Sequence, residues 1–142
     1  MQEAYPVFIK QYKKEYLVYV PDMGIYTEGK SIADAMAMAR DAIGLKGIDL
    51  EDEKFMLPIP SDEKRARAKV LSDADDTFDY SDGYYTLVDV DFTEYRRKMD
   101  NRAVKKNCTI PYRLCMQAEK AGVNFSKLLQ EALQQYLAKI RE

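Results

Sequence analysis

This 142-residue chain has only two cysteines and no histidine. That removes the commonest general acid or base near neutral pH and the usual companion of a zinc-binding cysteine. Cys108 and Cys115 therefore lack partners for a metal site or an activated thiol, and they read as small core residues. Asp22, Asp89 and Asp91 are the carboxylates that a Mg²⁺-dependent nuclease would draw on. Asp89 and Asp91, however, alternate with Val88 and Val90 as on any exposed strand face, and nothing sets a third carboxylate beside them. Neither an enzyme nor a metal or cofactor site is expected. Lys105, Asn107 and Thr109 offer a different chemistry. If Cys108 and Ile110 face a core, these three point together from the opposite face of a strand. Asparagine bonds adenine bidentately, lysine donates to guanine acceptors, and threonine presents a hydroxyl or a methyl, so the trio suits a β-ribbon in the DNA major groove. Lys106 falls in the core-facing phase, so either the strand begins at Asn107 or Lys106 snorkels to a phosphate. Asn124, with the amides of Phe125 and Ser126 at a helix start, forms an anion site for backbone phosphate; Asn124 also reads as a plain helix cap.

These residues need elements to position them. Pro111 suits the first position of a helix, along which Leu114, Cys115, Ala118 and Ala121 form an apolar stripe, and Gly122 sits where a left-handed cap is wanted. From Asn124 the rhythm Phe125, Leu128, Leu129, Ala132, Leu133, Tyr136, Leu137 and Ile140 predicts a second, strongly amphipathic helix. One strand (Ala103 to Ile110) and two helices in about 40 residues cannot bury so wide a stripe within one chain. The module is expected to dimerise around Cys108, Ile110, Leu114, Phe125, Leu128, Leu129 and Leu133.

Upstream, Tyr5 to Tyr12 and Tyr16 to Val20 read as a hairpin, and Ile25 to Glu28 as a third strand after the Pro21-Asp22-Met23-Gly24 turn. Ser31 and Asp34 form a capping box that starts a helix, whose apolar positions Ile32, Ala35, Met36, Ala39, Ala42 and Ile43 run to a stop at Gly44. Lys46 to Gly83 loses periodicity and is expected to be loop. Tyr84 to Phe92 alternates as a returning strand, Thr93 to Met99 is a short helical connector, and Asp100-Asn101-Arg102 is a hinge.

Charge divides along the same line. Residues 1 to 94 hold 11 Lys+Arg against 20 Asp+Glu, a balance of −9, and residues 95 to 142 hold 11 against 4, a balance of +7. A basic module is drawn to phosphates that an acidic one repels, so the two parts call for different partners. No stretch approaches the ~18 apolar residues of a membrane span, and the amino terminus lacks a signal-peptide pattern. A cytoplasmic protein without membrane attachment is expected.

The run Lys105-Lys106-Asn107-Cys108-Thr109-Ile110-Pro111, with Leu114, Ala118, Gly122 and the helix from Asn124 to Leu137, resembles the ribbon-helix-helix family. In that family two strands pair into a ribbon that enters the major groove above four intertwined helices. The resemblance implies base-contacting roles for Lys105, Asn107 and Thr109, with Asn124 and Ser126 beside phosphate. Tyr5-Pro6-Val7-Phe8, Tyr16 to Met23, and Ile25 to Ser31 with its helix look like the HicB antitoxin family. That resemblance implies an α+β chain: a truncated RNase H-like β-β-β-α-β domain over 1–94, a connector over 95–102, and a dimerising ribbon-helix-helix domain over 103–142. It also implies an antitoxin that covers a HicA-type mRNA-cleaving toxin and represses its own operon at operator DNA, as a dimer or a higher oligomer. An RNA-binding toxin is basic, so the acidic domain would be steered to it, with Asp73, Asp75, Asp76, Asp79 and Asp82 adding to its charge. The competing reading is a stand-alone repressor with a sensory amino-terminal domain.

Overall fold

A row of aromatic side chains crosses one face of a four-stranded antiparallel sheet. In this computed structural model, which describes residues 2–75 and 78–141, the strands are β1 (Gln2–Tyr12), β2 (Glu15–Val20), β3 (Ile25–Gly29) and β4 (Tyr84–Asp91), in the order β3-β2-β1-β4. Phe8 stands opposite Tyr19 on one side and Tyr85 on the other, and Tyr19 stands opposite Tyr26, so the row spans every strand. Such cross-strand aromatic pairs are a favoured sheet contact. Period-2 alternation sends Tyr5, Val7, Ile9, Val18, Val20, Val88 and Val90 to the opposite face.

Each face carries a helix. α1 (Ile32–Asp52) lays Ala35, Ala39 and Ile43 on the aliphatic face. Its start is capped as the sequence predicts: the Ser31 hydroxyl accepts from the Asp34 amide at 3.0 Å, while the Asp34 carboxylate accepts from the Lys30 amide at 2.8 Å. Gly29, just before it, lets the backbone approach closely, since a Cβ there would lie 2.4 Å from the Ala35 nitrogen. The stop expected at Gly44 does not occur. The helix continues because the missing side chains of Gly44 and Gly47 make room for the rings of Tyr95 and Phe92, which added Cβ atoms would meet at 2.7 and 2.1 Å.

The expected loop from Lys46 to Gly83 is also corrected. Besides the end of α1 it holds α2 (Glu63–Asp73), capped by Asp62, whose carboxylate accepts from the Arg65 amide at 2.8 Å. Only Ala66 and Val70 of α2 are buried, and they close the aromatic face over Phe8 and Tyr19. With just two buried positions one turn apart among charged residues, α2 has little apolar rhythm to betray it. Leu57-Pro58-Ile59-Pro60 is non-helical as expected, and the Pro58 carbonyl accepts from the buried Tyr5 hydroxyl at 2.7 Å.

α3 (Phe92–Lys98), the short helix expected over Thr93 to Met99, is fastened to α1. Phe92 is buried, the Tyr95 hydroxyl donates to Asp41 at 2.7 Å, and Arg96 donates to Glu51 and Asp52 at 3.0 Å each. The chain divides accordingly into two compact units, Met1–Asn101 and Arg102–Glu142. In the second, α4 (Tyr112–Lys120) follows Pro111 and α5 (Phe125–Arg141) follows Asn124. Gly122, at φ +74°, ends α4: its amide donates to the Glu119 carbonyl and that of Val123 to the Ala118 carbonyl, at 3.0 and 3.1 Å, a Schellman closure.

Candidate functional site

Lys105, Asn107 and Thr109 lie in a segment that forms no strand within the single chain. The strand expected over Ala103 to Ile110 is absent: a strand takes its hydrogen bonds from a second strand, and the described residues of this unit supply none. The three candidate base-reading residues are exposed, and so are Cys108 and Ile110, so the division into a groove face and a core face is not built in one chain. The helices behave likewise. Ile110, Leu114, Phe125, Leu128, Leu129 and Leu133 remain 40 to 55% exposed, and among the described residues this unit buries none.

Asn124 is a working cap: its side-chain oxygen accepts from the Lys127 amide at 3.1 Å, leaving the side-chain NH₂ to point elsewhere. Ser126 is exposed in the first turn of α5. The Cys115 thiol donates weakly to Glu119 at 3.6 Å, and its pKa is pushed up first by desolvation and then by that carboxylate, which keeps the thiol protonated.

In the first unit the three carboxylates considered for nuclease chemistry each serve the fold. Asp22 accepts from the Ser61 amide and hydroxyl at 2.8 and 2.6 Å, pinning the segment before α2. Asp89 accepts from Arg40 at 3.1 Å, and that hydrogen bond holds its carboxyl below the ordinary range. Asp91 caps α3 through the amides of Thr93 and Glu94 at 3.1 and 3.2 Å. Among the described residues no group of three or more His, Cys, Asp or Glu side chains is placed to hold a metal ion.

The acidic run is partly structural as well. Asp75 accepts from the Phe78 amide and Asp79 from the Ser81 amide, both at 2.8 Å, and Asp82 pairs with Lys10 at 2.8 Å; Asp76 lies outside the described residues. Asp73 ends α2 and accepts from the Tyr19 hydroxyl. It borders a cavity of about 340 Å³ walled by Tyr19, Tyr26, Phe78 and Tyr80. Sequence reasoning missed this cavity because its back wall is α2. The signal that was present is the cross-strand pairing of Tyr19 with Tyr26.

A family model described as the HicB_like antitoxin of bacterial toxin-antitoxin systems matches residues 5–139. The chain belongs to the HicB-like antitoxin family. Among solved structures, a chain titled as a toxin-antitoxin complex from Streptococcus pneumoniae is 28% identical, with a TM-score of 0.53 and 96% of this chain and 99% of that one covered. The antitoxin HicB of Burkholderia pseudomallei is 21% identical, with 96% and 97% covered and a TM-score of 0.48. A structure titled antitoxin HicB3 is 27% identical, with 94% and 97% covered and a TM-score of 0.48. No curated protein matches the chain significantly. No helix among the described residues is long and apolar enough to cross a membrane. In this HicB-like chain the boundary between units moves the charge division only slightly. Residues 1–101 hold 14 Lys+Arg against 21 Asp+Glu, a balance of −7, and residues 102–142 hold 8 against 3, a balance of +5.

Proposed function

We propose that this antitoxin acts without catalysis. Its acidic first unit binds and neutralises a HicA-type mRNA-cleaving toxin, and its basic second unit, as a homodimer, represses the operon by binding operator DNA. The observation that carries the reading is the pairing of opposite charge with opposite structural completeness. The −7 unit is a finished fold with a core on both faces of its sheet, whereas the +5 unit leaves a strand-length segment and an apolar helix stripe without partners. A second copy would pair residues 103–110 into a ribbon, turn Cys108 and Ile110 inward, and present Lys105, Asn107 and Thr109 to the groove. Asn124 and Ser126 would then flank backbone phosphate.

Growth under toxin co-expression tests the division of labour. The full chain and a 1–101 fragment, shown to be folded by circular dichroism, are both expected to rescue growth, and the fragment is expected to leave operator DNA unbound because its charge repels phosphate. Failure of the full chain to rescue would remove toxin neutralisation and leave the solitary-repressor reading. Readout is tested separately. Asn107→Ala is expected to lose about 1–3 kcal/mol of discrimination at one base position in each half-site while non-specific affinity holds. A gel-shift series in which the variant discriminates like the parent would put the ribbon outside the groove.

A further inference from the structure

The aromatic row ends unfilled. Tyr19 and Tyr26 stack with ring centres 4.6 Å apart, and Tyr80 leans across both at 5.5 and 6.0 Å, with Phe78 against it at 4.6 Å. Tyr19 is 3% exposed, but Tyr26, on the free edge strand β3, is 62% exposed, so its ring is presented to whatever enters from solvent. Asp73, which pairs loosely with Lys69 at 3.5 Å, and Asp75 line the same cavity at the carboxyl end of α2, where the helix dipole adds negative potential. Aromatic faces and carboxylates converging on one space favour a cation and reject an anion. The same fold already uses that chemistry on its own cations: the Lys10 ammonium sits 4.9 Å from the Phe78 ring centre, and the Arg67 guanidinium 5.2 Å from that of Tyr85. At about 340 Å³ the cavity lies at the small end of the roughly 300–1,000 Å³ range of ligand sites, and is suited to one side chain rather than a large molecule.

We propose that this cavity receives an arginine or lysine side chain of the basic toxin, seated over Tyr26 and Tyr80 and facing Asp73 and Asp75. The choice of a protein side chain as occupant rests on the toxin-binding reading above and on the charge of −7 that steers a basic partner to this unit.

The test uses the full chain with isotope-labelled tyrosine. Titration with n-propylguanidinium is expected to shift the Tyr26 and Tyr80 ring resonances, assigned by substitution, whereas the uncharged N-propylurea leaves them in place. In parallel, Tyr26→Leu is expected to weaken toxin binding about tenfold, the scale of a desolvated cation–π contact, and Tyr26→Phe to bind like the parent. Because Tyr26 is on the surface, both variants should fold, which circular dichroism checks. Ring resonances that ignore the guanidinium would overturn the cation site. Toxin binding undiminished in Tyr26→Leu would overturn the partner assignment while leaving toxin capture itself intact. A parent chain that fails to bind toxin at all would bring down the functional reading and the partner assignment together, and the guanidinium titration would still decide the cation site.

Discussion

In the proposed homodimer, Leu129→Asp is expected to shift the protein to monomer at micromolar concentration. Leu129 lies in the middle of the α5 stripe, between Phe125 and Leu133, and is 41% exposed in the single chain. A carboxylate there would be hydrated in the monomer at little cost, so the penalty falls on association. Each copy contributes one carboxylate; a single uncompensated charge buried in the interface already costs roughly 3–5 kcal/mol, and at 1.4 kcal/mol per tenfold this weakens the proposed dimer by at least about two to three and a half orders of magnitude. Operator binding is expected to fall with it, since the proposed ribbon needs both copies. Sedimentation velocity on the full chain reads the result directly. A variant that sediments like the parent would place the interface elsewhere, and unchanged helicity by circular dichroism would exclude unfolding as the cause of dissociation.

Phe8→Ala carries the largest expected loss within the first unit. The ring is fully buried at the middle of the aromatic row, edge-on to Tyr85 at 5.5 Å, beneath Ala66 and Val70, with the Arg67 guanidinium 5.9 Å from its centre. Removing it deletes the floor on which α2 rests, and neither a paired strand nor a capped helix collapses easily into the space. Truncations of this kind cost about 3–5 kcal/mol. For a unit of this size that corresponds to a melting temperature lowered by roughly 12 °C or more. Thermal unfolding followed by circular dichroism measures it. A drop of only a few degrees would mean that α2 contributes little and that the sheet is held from the α1 side alone.

Legibility in the sequence tracked the strength of local signals. The four strands of the sheet are placed by local pattern within about three residues at either end, whereas the strand expected over Ala103 to Ile110 does not form, and Ser31, Gly122 and Asn124 act as the caps that their positions suggest. What escaped was set by tertiary packing. Gly44 reads as a stop only until the Tyr95 ring that it accommodates is known, and α2 buries too few residues to create a rhythm. Lys105, Asn107 and Thr109 are nominated by alternation alone, and residues 101–110 form no strand in the single chain. A strand needs a neighbouring strand to pair with, and the described residues of this unit offer none, so no local geometry aligns the three. The tyrosine cavity depends on three separated segments, β2 with β3, α2 and the stretch around Tyr80, and no local pattern joins them.

The strand order has a kinetic consequence. β1 is central, yet its second neighbour is β4, with Gln2 opposite Asp91. On the ribosome the hairpin of β1 and β2 can form early, and β3 and α1 can add to it, while one edge of β1 waits for almost the whole first unit to be synthesised. Through that interval the edge that will receive β4 is open, and the ring of Phe8 lacks Tyr85. Pairings this distant in sequence make closure the slow event of folding, and they prolong the time in which a bare strand edge can meet another nascent copy. Refolding is therefore expected to end in a late phase in which β4 joins the sheet, and the yield of soluble protein should fall as the rate of synthesis rises.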